Sequence, residues 1–529
     1  MKRDSESPSA PPAPASPDVL AAVRLLDPFA AAFEALAAKP KSPELAADRR
    51  FDDPAWQGHP GYRALGEAYL AWSRQLHATI DALPLADRQP EQWHAAAGLL
   101  IDAMAPTNIL PGNPAALRRA FDTGGASLAA GAVHALQDLL GNQGMPSTVD
   151  ASGFEVGRNL AATPGEVIHR SEMFELLRYD TPGEAVHERP FLYVPPQINR
   201  YYMIDLAPGR SFVEHAVGQG FQPFVMSWRN PGPEHRGWGL DDYVGAVHEA
   251  IEVVCGGTGS EALNLAGSCT GGITAVAAAS LLRARGSQRV ASLTLMVTMI
   301  DTSAPTPFNL NATPEAVAMT KQLVAARGFV DGREMAGVFA WMRPNEMVWS
   351  QWVRNVLMGE KPPSFDMLAW NKDTTRLPAK MHADLLDLGT ENFLAVPGRR
   401  RMQDQTLDLR AIDIPCYVIG GLSDHIAPWP TCYAAAQATR GELTFVLGNG
   451  GHIQSIIAPP GTRKAGYYLR DGKPPGDAQQ WLEGASLHEG SWWPHWSAWL
   501  AARSGARVPA KRSGMRRRGA ASASLGPAP

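Results

Sequence analysis

Residues 262–279 read ALNLAGSCTGGITAVAAA. The opening stretch, up to Ala266, is a short apolar run closed by glycine, the pattern of a buried strand. The closing stretch, from Ile273 onward, is rich in alanine and free of breakers, as a buried helix would be. Between them stands Gly267-Ser268-Cys269-Thr270-Gly271, so strand passes to helix through a tight turn with a cysteine at its tip. Such a turn strains its central residue, and small glycines are needed where neighbouring backbone comes close. Cys269 would sit at a helix N-terminus, where free N–H groups and the helix dipole favour a thiolate. The Thr270 N–H would face an oxyanion forming at the same place. The spacing does not fit the dinucleotide pattern G-x-G-x-x-G. Alone, G-x-C-x-G is equally compatible with a buried cysteine in a structural turn.

Partner residues further along the chain decide between these readings. The run IPCYVIGG (414–421) leads into Leu422-Ser423-Asp424, and LTFVLGNG (443–450) leads into Gly451-His452. An acid after one strand and a histidine after the next is the chain order nucleophile, acid, histidine of α/β-hydrolases. Cys269 is therefore the candidate nucleophile and His452 the general base that takes its proton. Asp424 is the group that orients the imidazole. Asp301, which ends an earlier strand, is the reserve candidate for the acid. His425 reads as structural, and Cys255, Cys416 and Cys432 as inert core thiols.

Outward from these segments, RPFLYVPP, QPFVMSW and ASLTLMVTMID also read as buried strands, each bounded by Gly, Pro, Asp or Asn. Helical patterns such as LDDYVGAVHEAIEVVCG and ITAVAAASLLRARG lie between strands. The alternation predicts a mostly parallel sheet with helices on both faces. The expected fold class is α/β, an α/β-hydrolase fold with a helical cap insertion, preceded by an all-helical N-terminal domain. The catalytic domain is expected over 151–503, with the aromatic cap over about 302–402. The helical domain is expected over 19–150, where GYRALGEAYLAWSRQLHATIDAL and AALRRAFDTGGASLAAGAVHALQDLL show helical periodicity. The Pro-, Ala- and Ser-rich residues 1–18 and the basic tail 504–529, which contains KRSGMRRRG, are expected to be disordered.

Composition narrows the function. A net charge of −4 and a pI near 6.4 give no electrostatic reason to expect nucleic acid as partner. Four cysteines without a C-x-x-C pair suggest neither a metal site nor a disulfide framework, and point to a reducing compartment. The N-terminus has no apolar signal core, and no apolar run reaches the length of a transmembrane helix. A cytoplasmic protein is expected. Fifteen tryptophans suit a large core, an apolar tunnel or an apolar interface.

Longer segments carry a family resemblance. RRFDDPAW, AMAPTN, TGGASL, VGRNLA, VPPQINRYYMIDL, SWRNP, GSCTGG, VFAWMRPNEMVW, WNKDTTRLP, GLSDHIAPW, GHIQSIIAPPG and SWWPHWSAW resemble the polyhydroxyalkanoate synthases, most closely the class II type. The likeness runs from about Arg50 to about Ser504. It implies an acyltransferase that polymerises (R)-3-hydroxyacyl-CoA into polyester and releases CoA. The growing chain would ride on Cys269, with Asp424 and His452 as its partners. It also implies a homodimer at the surface of polyester granules in the cytoplasm, with no cofactor and no metal, CoA being part of the substrate. Two departures are Thr270, where class II members usually have Ser, and the Ala-rich N-terminal domain; with them the resemblance speaks to the triad and not to substrate length.

By analogy with the loop after the equivalent hydrolase strand, the second oxyanion donor is expected near Gln197 or Ile198, with Ile198 preferred beside Thr270. Trp341, Trp349 and Trp352 are candidates to wall an acyl tunnel or to pack the cap. Arg229 and Arg200 are candidates for CoA phosphate contacts or for ion pairs. The alternatives to polymerisation are a thioesterase or depolymerase on the same fold, and a non-catalytic granule coat on a dead hydrolase scaffold. An intact ordered triad argues against the coat.

Overall fold

A computed structural model of the protein describes residues 43–85, 88–306, 309–310, 312–510 and 518–519. The expected disordered segment 1–18 and most of the tail beyond 510 lie outside the described residues. The chain forms two compact units. One comprises Met1–Ser147 with Arg343–Lys361, the other Thr148–Met342 with Pro362–Pro529.

The first unit is helical: α1 (Pro60–Asp81), α2 (Gln89–Ala103), α3 (Pro114–Asp122) and α4 (Ala126–Gly141). Pro60 and Pro114 sit in first helical turns, where a missing N–H has no partner to lose, and the Asn113 side chain caps α3 by accepting from Ala116 N. The run 115–140, continuous in its periodicity, breaks between α3 and α4. Gly124 and Gly125 there take φ of +57° and +87°, which glycine adopts without steric cost. Phe51, Trp56, Tyr69, Trp72 and Ile101 form the core of this unit.

Residues 343–361 close on α4 through small residues. A Cβ on Gly131 would strike the Val356 carbonyl, and one on Gly359 the Ser127 carbonyl. His134 Nδ1–H donates to the Asn355 carbonyl (3.0 Å), and Asn355 Nδ2 donates to Ser147 O (2.7 Å). The middle of the expected cap insertion thus packs with the N-terminal helices.

The second unit is built on one sheet. Its strands are β1 (Pro164–Arg170), β2 (Phe174–Tyr179), β3 (Phe191–Val194), β4 (Pro223–Trp228), β5 (Leu263–Ser268) and β6 (Val290–Met296). After them come β7 (Cys416–Gly421), β8 (Leu443–Gly448), β9 (Gly466–Leu469), β10 (Ser486–Glu489) and β11 (Arg518–Gly519). The order across the sheet is β10-β9-β8-β7-β6-β5-β3-β4-β2-β1-β11. Strands β3 to β8 are mutually parallel, and antiparallel pairs finish both edges. Alternate residues serve opposite cores: Leu192, Val194, Leu265 and Val418 on one face, Phe191, Tyr193, Ala266 and Tyr417 on the other. That two-sided burial is why these strands read as unbroken apolar runs. Helices α5 (Leu240–Thr258) and α6 (Cys269–Ala284) supply Val244, Ile251 and Val276 to the first core.

Several elements differ from the sequence reading. The antiparallel strands β1, β2, β9 and β10 are additional to that reading: β1 and β2 interrupt their apolar residues with charge, β9 is only four residues long, and β10 is exposed throughout. The apolar run ASLTLMVTMID stops being strand at Met296, where Val297 turns to φ +45°. Arg507–Pro509, inside the expected disordered tail, forms a strand against Ala185–His187, and Arg507 Nη2 donates to Gln219 O (3.0 Å). The insertion also contributes α7 (Pro314–Arg327) and α8 (Ala379–Glu391) to this unit. Among the described residues, no helix is long and apolar enough to cross a membrane.

Candidate active site

Strands β5, β7 and β8 run parallel, so their carboxyl ends share one edge of the sheet, where open parallel sheets carry their ligand sites. Cys269 follows β5 directly as the first residue of α6, with φ +49°. A left-handed conformation is uncommon for a residue with a Cβ and is kept only where the surroundings enforce it. Here they do. A Cβ on Gly267 would meet the backbone of Gly271 and Gly272, one on Gly271 the carbonyls of Val194 and Pro195, and one on Gly272 the Thr298 side chain. Beneath the turn, the buried Tyr193 hydroxyl lies 2.6 Å from Ser268 Oγ.

Asp424 and His452 are on loops that continue the β7–β8 pairing past the strands: Leu422 N donates to Gly448 O (2.8 Å) and Ser423 N to Gly450 O (3.1 Å). Asp424 Oδ1 accepts from Ile426 N (2.8 Å) and Ala427 N (2.9 Å), and Oδ2 is 2.7 Å from His452 Nδ1. The Cys269 side chain is near enough to the His452 ring to add to the rise in its pKa. His452 opens the short helix α9 (His452–Ile456), whose last carbonyls would otherwise lack donors. Two indoles from the SWWPHW segment, at the start of α10 (Trp493–Ala501), satisfy them: Trp492 Nε1 to Ser455 O (2.7 Å) and Trp493 Nε1 to Ile456 O (3.0 Å).

Burial works against a charged imidazole here. The charge and hydrogen bond of Asp424, joined by Cys269, outweigh it and raise the His452 pKa from 6.5 to about 10. With a raised value the folded protein holds a proton that the unfolded chain gives up. The stabilisation is therefore complete below pH 6.5 and is lost as pH rises through about 10. Thermal unfolding of wild type and His452→Gln across that range is expected to show the wild-type advantage shrinking as pH rises. A gap that widens with pH would contradict the ion pair.

The other candidates fall elsewhere. Asp301 accepts from Ser303 N and Asn392 Nδ2, both at 2.8 Å, while the His452 Nδ1 position is filled by Asp424. His425 is half-buried on the acid loop. Cys255, Cys416 and Cys432 are buried and Cys269 is half-buried. Burial pushes the Cys416 thiol up to about 12 and raises Cys255; burial, then the nearby Asp424 charge, pushes Cys432 well up. Arg200 is buried in an ion pair with Asp373 (3.1 Å), its carbonyl accepting from Trp370 Nε1 (2.9 Å), a setting that suits structure rather than CoA phosphate. Arg229 is exposed. Trp352 donates to Asn108 O (3.0 Å) within the helical unit, to which Trp349 also belongs, and Trp341 is exposed.

In the loop after β3, Gln197 N donates to Thr270 Oγ1 (3.2 Å), and Ile198 is the next amide along. Sequence reading missed Tyr193, Thr274 and Thr298 around the turn; each is an ordinary polar residue in an apolar run, and only the fold reveals its partner.

A parallel sheet with a positive-φ cysteine between strand and helix, and an acid and a histidine on the next loops, defines an α/β-hydrolase fold with cysteine at the elbow. Comparisons agree. A profile described as "Poly-beta-hydroxybutyrate polymerase (PhaC) N-terminus" matches residues 47–216, and one for the alpha/beta hydrolase fold matches 205–459. Poly(3-hydroxyalkanoate) polymerase 2 of Ectopseudomonas oleovorans is 44% identical over 91% of this chain and 85% of its own. Polymerase 1 of the same organism is 43% identical over 87% and 82%. The polymerase subunit PhaC of Cupriavidus necator is 38% identical over 92% and 83%. The chain belongs to the poly(3-hydroxyalkanoate) polymerases, which are acyltransferases, and the two Ectopseudomonas enzymes exceed the Cupriavidus subunit in identity, in keeping with the class II likeness.

Proposed function

We propose that the enzyme polymerises (R)-3-hydroxyacyl-CoA by covalent catalysis at Cys269. Sulfur attacks the thioester carbonyl, the bond to CoA sulfur breaks, and the Cys269 proton passes through His452 to the departing CoA thiolate. One thioester replaces another at nearly equal free energy, so the acyl group stays activated. A hydroxyl from a second monomer or the chain end then attacks this carbonyl, its proton returns to Cys269 sulfur, and a more stable oxoester forms. Asp424 has both carboxylate oxygens engaged and its side chain fully buried, which supports His452 rather than Asp424 as the base for the hydroxyl as well. Thr270 N–H and Ile198 N–H are the oxyanion donors of this reading. The reaction as written draws on no cofactor. The growing polyester and the granule surface are the other partners, with a homodimer acting in the cytoplasm.

The observation that carries this reading is the cysteine held at φ +49° at the strand–helix turn, beside a histidine that is itself paired with a buried aspartate. Family membership favours polymerisation over the thioesterase or depolymerase alternative. Purified protein given short and medium (R)-3-hydroxyacyl-CoA side by side is expected to yield polyester with one CoA released per monomer added. Free hydroxy acid without polymer would sink the proposal.

A further inference from the structure

We propose that the Thr270 side chain is a positioning residue: its hydroxyl latches the loop after β3 onto the elbow, so that Ile198, and not Gln197, presents the free amide. This rests on the reading of Cys269 as nucleophile.

Three hydrogen bonds close a ring between loop and elbow. Gln197 N–H donates to Thr270 Oγ1 (3.2 Å), Thr274 Oγ1 donates to the Thr270 carbonyl (3.0 Å), and Gln197 Nε2 donates to Thr274 Oγ1 (2.9 Å). The Thr274 hydroxyl has one proton, and the Thr270 carbonyl takes it. It must therefore accept from Gln197, which fixes which end of the amide faces it. Gln197 Oε1 is turned away, buried and without a protein partner among the described residues. Thr375 Oγ1 and Trp228 Nε1 tie the carbonyls of Gln197 (2.9 Å) and Pro195 (2.8 Å), so the loop is held from its other side too. Gln197, Thr270 and Thr274 are 3%, 6% and 0% exposed, so water cannot replace these bonds.

The consequence is geometric. With the Gln197 N–H consumed by the elbow itself, the loop can offer an oxyanion only its next amide, and the Thr270 hydroxyl sets where that amide stands. The residue after the nucleophile thus acts twice, through its own N–H and through its side chain. Serine retains the hydroxyl and valine does not, although valine keeps the shape.

The test compares two reactions of one sulfur. Acyl transfer from hydroxyacyl-CoA builds an oxyanion, whereas alkylation of Cys269 by iodoacetamide does not. In Thr270→Val, kcat for CoA release is expected to fall about 10- to 100-fold, below the loss for deleting a donor outright, with KM and alkylation rate within about twofold of wild type. Thr270→Ser is expected to restore kcat. Gln197→Met, which cuts only the bond to Thr274, should lower kcat in the same sense, and it decides the matter if Thr270→Val does not fold. Wild-type kcat in both variants, or parallel loss of alkylation and acyl transfer, would overturn the latch. CoA release surviving Cys269→Ala would instead overturn the underlying nucleophile assignment.

Discussion

Cys269→Ala is expected to give a folded protein whose CoA release falls by about 10⁶-fold, the scale seen when a triad nucleophile is removed elsewhere. Folding should survive because the substitution changes little that the fold depends on. The side chain is half-buried rather than part of either core, and alanine meets the same backbone strain at φ +49° that cysteine already bears. What disappears is the only thiol outside the interior, since Cys255, Cys416 and Cys432 are all buried. Mass spectrometry of enzyme quenched during turnover with hydroxyacyl-CoA should show an acylated wild type and an unmodified variant. An acyl adduct on the variant would place the nucleophile elsewhere.

Asp424→Asn is expected to lower kcat by about 10⁴-fold, the loss known for the equivalent change in a serine protease triad, while leaving the geometry intact. The reason lies in the three bonds to the carboxylate. Ile426 N and Ala427 N both donate to Oδ1, so an asparagine would keep its carbonyl oxygen there and turn its NH₂ toward His452. The imidazole Nδ1, now facing a donor, would have to accept, which forces the ring proton onto Nε2. That nitrogen could then no longer take the Cys269 proton. Alkylation of Cys269 at neutral pH should slow along with turnover, in contrast to the Thr270 variants. Unchanged turnover would remove Asp424 from the mechanism and return Asp301 to consideration.

Much of the centre of this molecule was legible in its sequence. The elbow could be read because its glycines leave no alternative: each abuts backbone or a buried side chain that excludes a Cβ. The six parallel strands could be read because burial on both faces makes them continuous in apolar character. The pairing of Asp424 with His452 could be read because the fold's own connectivity places the loops after neighbouring strands side by side. What was not legible depends on contacts distant in sequence. Strands β1 and β2 carry charged residues among their apolar ones, and Arg507–Pro509 becomes a strand only because Ala185–His187 offers it an edge. The Gln197–Thr270–Thr274 ring joins residues more than seventy positions apart with no periodic signature. The insertion was read as one cap because nothing in VFAWMRPNEMVWSQWVRNVL announces that Gly131 on α4 has left a groove for Val356.

That groove gives the helical unit a discontinuous ancestry along the chain, which passes between the two units three times. The unit is therefore not an appendage that a single cut could shed. Deleting its leading residues would strand the middle of the polypeptide, exposing Val348 and Leu357, which are 4% and 8% exposed when their partners are in place. Opening of the amino-terminal helices and loosening near residue 350 should belong to one cooperative event, so damage at the beginning of the chain is felt two hundred residues later.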